Sequence, residues 1–334
     1  MLSTFAYTYF GHKRMTFSQN LRGMNMQSFT HMDHRPPARR DWRVFWRLTR
    51  PHTLTAAFVP VCVGTVLAMG ETSVNWLLFA AMMIASLLIQ AATNMFNEYY
   101  DYQRGLDSAE SVGIGGAIVR DGLKPKTVLA LAVGCLGLAM LIGVYICAES
   151  SWWLAVVGTI CMAAGYFYTG GPVPIAYTPF GELAAGFFMG FVIILISFFI
   201  QTGYISGGAV LTAIPIAILV GAILLANNIR DLDGDREKGR KTLAILIGRN
   251  WAIRLLAAMF AVAFLWTAAL VLFHIVPPWA LLALLSIPKA VAATRGFIGK
   301  IKPIEMMPAM KATAQTNTQF GFLLAAGLLI AHWL

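Results

Sequence analysis

The stretch AVLTAIPIAILVGAILLANNI, residues 209–229, carries no charged side chain and runs straight into RDLDGDREKGRK at 230–241. About 20 consecutive apolar residues make a helix long enough to cross roughly 30 Å of hydrocarbon. The abrupt change of composition at Arg230 is then the point where that helix meets water. Eight further runs of the same kind lie near 53–70, 75–98, 127–147, 152–169, 182–200, 252–273, 278–294 and 314–333.

Of the 334 residues, 58% are hydrophobic and 12% are Asp, Glu, Lys or Arg. A soluble domain carries about a quarter charged residues, so too little polar side chain is present to coat a water-facing surface. Lipid cannot satisfy exposed backbone groups, and the two-residue alternation of a membrane barrel is absent. The expected fold is therefore all-α: a polytopic membrane protein with nine transmembrane helices around a central cavity. The polar first 40 residues are read as a disordered extension to a transmembrane domain spanning 41–334. They lack the apolar stretch of a secretory signal, although a transit peptide shares their acid-poor composition. Cys62, Cys135, Cys147 and Cys161 all fall inside apolar runs without metal-ligand spacing and read as small core residues.

The formal charge of +10 could suggest a nucleic-acid partner, but its distribution argues against one. Threaded through nine spans, all 25 Lys and Arg lie in or beside the N-terminal segment and the gaps after spans two, six and eight. That asymmetry places the N-terminus and those gaps on the cytoplasmic side.

Acids gather on the same side in two groups. Asn97 and Asp101 close span two, with Asp107 just beyond Gly105; Asn227, Asp231 and Asp235 close span six. Asn97 and Asn227 stand 130 positions apart, as do Asp101 and Asp231, which suggests a duplicated four-helix unit plus a ninth helix. Residues spaced i, i+4, i+8 share one helix face, where like charges repel unless a cation bridges them. Mg²⁺ takes oxygen ligands and is usually shared between one or two carboxylates and a substrate phosphate. Two facing acid groups therefore suit a diphosphate held through Mg²⁺. A solvated, mixed-charge loop would explain one such group, but not two matched groups at one membrane depth. Nearby cations (Arg104, Arg120, Lys124 and Lys126, then Arg236, Lys238, Arg240 and Lys241) either fix topology and meet lipid head groups or grip diphosphate oxygens. Tyr166, Phe167, Tyr168 and Tyr177 flank Thr169-Gly170-Gly171-Pro172; they suit an interfacial aromatic belt, or a site that steadies an allylic cation.

Taken together, Asn97-x₃-Asp101-x₅-Asp107, Tyr168-Thr169-Gly170-Gly171-Pro172 and NNIRDLDGDREKGRKTLAILIG at 227–248 resemble the UbiA superfamily of intramembrane prenyltransferases. Gly113-x-Gly115-Gly116 and Arg50-Pro51-His52-Thr53-Leu54 extend the likeness over roughly 43–334. Gly105 departs from the superfamily's usual N-x₃-D-x₃-D, and the acid at Asp107 is the variant of the branch acting on 1,4-dihydroxy-2-naphthoate in menaquinone biosynthesis. The resemblance implies Mg²⁺-dependent transfer of a polyprenyl group from its diphosphate to that aromatic acid, with loss of CO₂. It further implies that Asp101, Asp107, Asp231 and Asp235 hold two Mg²⁺, with Asn97 and Asn228 in support. Lys241, Arg236, Lys124 and Tyr168 would hold the diphosphate, and Arg50 would meet the aromatic carboxylate. A bacterial cell membrane, with active-site loops in the cytoplasm, is the implied location.

Two rivals share parts of this pattern. A prenyltransferase for 4-hydroxybenzoate or homogentisate differs only in the detail of 227–248. A cation-coupled transporter would keep ionisable groups near the bilayer midplane, whereas here the span centres are nearly free of acids.

Overall fold

The computed structural model describes residues 42–51, 53–106 and 116–334; the expected N-terminal extension and Asp107 lie outside them. Among the described residues the fold is helical throughout, without strands. A short helix α1 (Trp42–Leu48) leads to α2 (Thr55–Met69), α3 (Trp76–Gln103), α4 (Pro125–Glu149) and α5 (Leu154–Phe167). After a 3₁₀ turn at Ile175–Tyr177 come α6 (Gly181–Thr202), α7 (Gly207–Glu237), α8 (Leu243–Ile247), α9 (Arg249–Leu272), α10 (Pro278–Phe297) and α11 (Pro303–Trp333).

Six of these, α3, α4, α6, α7, α9 and α10, are long and apolar enough to cross a membrane. The runs near 53–70 and 152–169 fall on α2 and α5, apolar helices of 15 and 14 residues, shorter than a full crossing. The run at 314–333 falls on the C-terminal two-thirds of α11, which is 31 residues long.

Helix α7 is the axis of the molecule. Ile216, Leu219, Leu225 and Ile229 on it are fully buried against α2, α9 and α11. In lipid there is little hydrophobic gain from bringing helices together, so contact depends on close fit between small residues. Helix α6 meets α7 in that way. Its stretch Gly186–Val192 is wound as a π-helix, and a Cβ at Gly186 or Gly190 would come within 2.5 Å or 2.4 Å of Ala217 backbone atoms. The two backbones therefore touch. Wide-wound turns of this kind concentrate at functional sites, and this one faces inward: Phe188 and Met189 line a chamber enclosed by α2 to α7.

Candidate active site

That chamber has a volume of about 370 Å³ and walls that are almost wholly apolar. Its larger polar side chains, Arg50, Gln90, Asn94, Asn97, Tyr168 and Asn227, mark its polar end. Asn94 donates to the Thr49 carbonyl (2.8 Å) and to Thr53 Oγ1 (2.9 Å), tying α3 to the turn between α1 and α2. Arg50 takes up a left-handed backbone, φ 51°, immediately before Pro51, and its Nη2 lies 3.4 Å from Glu98 Oε2. Non-glycine residues adopt this conformation rarely, and it clusters at functional sites.

The two acid groups meet beside this polar end, and the helix ends explain how. Helices α3 and α7 finish in the same Schellman turn. In α3, Gly105 is left-handed (φ 67°), Leu106 N–H donates to the Asp101 carbonyl (2.8 Å) and Gly105 N–H to that of Tyr102 (3.0 Å). In α7, Gly239 is left-handed (φ 77°), Arg240 N–H donates to the Asp235 carbonyl (3.0 Å) and Gly239 N–H to that of Arg236 (3.0 Å). By this motif Asp101 corresponds to Asp235, one helical turn beyond the match that the sequence alone suggests.

The turn after α7 folds Arg240 back over the helix end. Its guanidinium bridges the two acids, with Nη2 2.9 Å from Asp101 Oδ1 and Nη1 3.2 Å from Asp235 Oδ1. It also lies 4.6 Å from the centre of the Tyr177 ring, while Tyr177 Oη donates to Asp101 Oδ1 at 3.4 Å. Burial works against the charged guanidinium, but Asp101 and Asp235 outweigh it and hold Arg240 more firmly protonated than a free arginine. Arg104 supports the same hub: it donates to the carbonyls of Thr169 (2.5 Å) and Gly171 (3.0 Å) and lies 5.0 Å from the centre of the Tyr177 ring.

The other residues singled out in the sequence are placed differently. Asp231 is held by its neighbour Arg230 through two bonds of 2.7 and 2.5 Å. Asn228 donates to Glu182 Oε1 at 2.8 Å, while Glu182 Oε2 is buried without a partner. Tyr168 lines the chamber, whereas the side chains of Lys124, Arg236 and Lys241 are exposed and make none of the described hydrogen bonds. Asp233 pairs with Arg249 at 2.7 Å.

The sequence names Arg240 and Tyr177 only within wider groups of cations and aromatics, and Glu182 and Glu98 are not picked out there as site residues. Glu98 is 1% exposed and accepts the backbone N–H groups of Gly116 (2.8 and 2.9 Å) and Ile118 (3.1 Å), so it ties the backbone at 116–118 to α3. Gly239 was the signal for Arg240, because a glycine just past a helix turns the following residue back onto it.

Among the described residues no three acids, histidines or cysteines converge on one point. The donor set nevertheless suits a hard cation: Asp101 and Asp235 already share one positive group, and Asn97 Oδ1 beside them is buried with no partner. An apolar chamber whose polar end is closed by facing carboxylates fits a ligand with an anionic head and a long hydrocarbon body.

The fold and site belong to an intramembrane transferase class: residues 57–306 match the model of the UbiA prenyltransferase family, and the chain is a member of it. With six helices suited to crossing a bilayer, it is an integral membrane protein. It is 62% identical to the 1,4-dihydroxy-2-naphthoate octaprenyltransferase of Bacillus subtilis over 87% of this chain and 94% of that one. Among solved structures, the UbiA homolog from Aeropyrum pernix K1 superimposes with a TM-score of 0.63 at 16% identity, covering 84% of this chain and 98% of its own. The UbiA homolog from Archaeoglobus fulgidus bound to DMAPP and Mg²⁺ gives 0.57 at 14% identity, covering 84% and 99%. These structural likenesses establish the fold.

Proposed function

We propose that this protein transfers a polyprenyl group from its diphosphate to 1,4-dihydroxy-2-naphthoate with loss of CO₂, a step of menaquinone biosynthesis. The carrying observation is the pairing of Asp101 and Asp235 across one cation beside the polar end of an apolar chamber. The 62% identity to a relative named for that acceptor supports the choice of acid over 4-hydroxybenzoate or homogentisate.

In this reading Asp101, Asp107, Asp231 and Asp235, with Asn97, would hold two Mg²⁺, which when bound would supply Lewis-acid stabilisation of the departing diphosphate. Binding requires Arg240 to leave the two carboxylates, and the diphosphate oxygens are the anions it then meets. Arg236, Lys241 and Lys124 add positive charge from the exposed side, and Asn228 and Tyr168 border the head group. Arg50 meets the carboxylate of the aromatic acid. The apolar walls keep water from the allylic cation left when the C–O bond ionises. The electron-rich ring attacks that cation, and the attacked carbon then loses CO₂.

The charge pattern supports nine spans, arranged as a duplicated four-helix unit and a ninth helix, with the N-terminus and the acid groups facing the cytoplasm of a bacterial cell. Transport would place acids at mid-membrane, and nothing in the site favours it. The deciding experiment supplies purified protein in detergent with a polyprenyl diphosphate and 1,4-dihydroxy-2-naphthoate, with and without Mg²⁺. Mg²⁺-dependent prenylated naphthoquinone, and none from 4-hydroxybenzoate, is the expected result. Product from 4-hydroxybenzoate alone would overturn the acceptor assignment.

A further inference from the structure

The polar end of the chamber is not of one kind. Asn97 and Asn227 stand one helical turn before Asp101 and Asp231, close to the acids. Gln90 lies deeper. It shares the α3 face of Asn97, two turns earlier, and stands about 16 Å along the helix axis from Asp101. It is 9% exposed and borders walls that are almost wholly apolar. An amide in such a place costs free energy unless both of its ends find partners.

Hydrogen bonds fix which way that amide faces. Thr53 gives its hydroxyl hydrogen to the Arg50 carbonyl (2.9 Å), so its oxygen is left to accept. Asn94 spends both amide hydrogens, on the Thr49 carbonyl and on Thr53 Oγ1, so its own oxygen is an acceptor too. Gln90 Nε2 faces these two oxygens, at 3.5 Å from Thr53 and 3.4 Å from Asn94. Turned over, the Gln90 amide would set oxygen against oxygen. Its Oε1 is therefore held away from the network, and none of the described hydrogen bonds reaches it. The inner polar atom of the chamber is thus a free acceptor, which suits a hydroxyl. Arg50, drawn toward Glu98 nearer the acids, is a donor and suits a carboxylate.

We propose that Gln90 reads the second hydroxyl of the aromatic acid: with the carboxylate on Arg50, the hydroxyl that is not beside the carboxylate donates to Gln90 Oε1. This rests on the prenyl-transfer reading above and gives the acceptor its inner contact. A diphosphate at the acids, the allylic carbon next to it and a ring in attacking contact occupy the chamber in that order, which carries the ring past Asn97 toward Gln90. An acid without that hydroxyl leaves the amide oxygen unpaired among apolar walls, and the site discriminates against it on that ground.

The test measures binding without turnover, by isothermal titration calorimetry in oxygen-free detergent buffer with Mg²⁺ and a thio analogue of geranyl diphosphate that does not ionise. 1,4-Dihydroxy-2-naphthoate is compared with 1-hydroxy-2-naphthoate. Both carry the carboxylate for Arg50, so only the second hydroxyl differs. Wild type should bind the dihydroxy acid about fivefold more tightly, the worth of one net hydrogen bond. In Gln90→Leu and Gln90→Met that preference should fall to about one, through weaker binding of the dihydroxy acid alone. Thr93→Val removes a hydroxyl that also lines the chamber but is already spent on the Ile89 carbonyl (3.0 Å), and should keep the wild-type preference. An unchanged preference in both Gln90 variants, an equal loss in Thr93→Val, or no preference in wild type overturns the role of Gln90 and leaves the reaction standing. If one Gln90 variant does not fold, the other decides. Wild type that binds neither acid overturns the choice of acceptor and this contact with it.

Discussion

Replacing Arg240 by alanine removes the group that joins the two acid-bearing helix ends. Its guanidinium touches Asp101 at 2.9 Å and Asp235 at 3.2 Å, and all three side chains are less than one-fifth exposed. Deleting one partner of a buried ion pair costs about 3–5 kcal/mol, because the remaining charge is left uncompensated. Here two carboxylates lose one partner, but each keeps some solvent, and Tyr177 still donates to Asp101. A loss of about 2–3 kcal/mol follows from scaling that range to the partial exposure. The assay is thermal unfolding of detergent-purified protein in EDTA and again in millimolar Mg²⁺. Arg240→Ala should melt well below wild type in EDTA, and Mg²⁺ should recover more of the loss than it adds to wild type, since the same oxygens take the ion. Arg240→Lys should fall between, because an ammonium is a point charge without the planar fork that spans two carboxylates. Equal melting in EDTA, or an identical Mg²⁺ response in both proteins, would refute the idea that Arg240 and the metal share one pair of acids.

Asp101→Asn and Asp235→Asn should each abolish prenyl transfer while leaving the protein folded by size-exclusion chromatography; full turnover in either would sink the assignment of that acid. Removal of Mg²⁺ by chelation should stop the reaction reversibly, with activity returning on Mg²⁺ addition and not on Na⁺. Glu98→Ala leaves the Gly116 and Ile118 N–H groups without their acceptor, and orphaned buried donors cost about 1–3 kcal/mol each. Its melting temperature should drop, and an unchanged melting temperature would argue against the tether. Gly190→Leu forces bulk where a Cβ already meets Ala217 Cα at 2.4 Å, and should prevent stable expression, whereas Gly137→Leu should be neutral.

The long apolar runs made the helical class plain, because lipid leaves the backbone few other solutions. Length was harder to read: α2 and α5 come out at 15 and 14 residues since turns take up both ends of runs that composition alone would extend. The pairing of the acid groups was legible from their type and spacing, but its register was not. Asn97 and Asn227 invite alignment as letters, while the geometry follows the helix ends set by Gly105 and Gly239. Among the four cations at and just past the end of α7, composition ranks none above another; only the left-handed turn at Gly239 selects Arg240. Glu98 sits one residue from Asn97, and its different role follows from pointing to the Gly116 backbone rather than into the chamber, which no pattern of residue types discloses.

The direct backbone contact of α6 with α7 bears on how this protein meets membranes of unequal thickness. Bilayers differ by a few ångströms, and helices answer such mismatch by tilting or sliding. Long side chains between two helices would let them shift by changing rotamer. At Gly186 and Gly190 there is nothing to rearrange, so α6 and α7 must tilt as one rod. The depth of Asp235 relative to Glu182 is then set by backbone packing between the two helices and insensitive to the surrounding lipid.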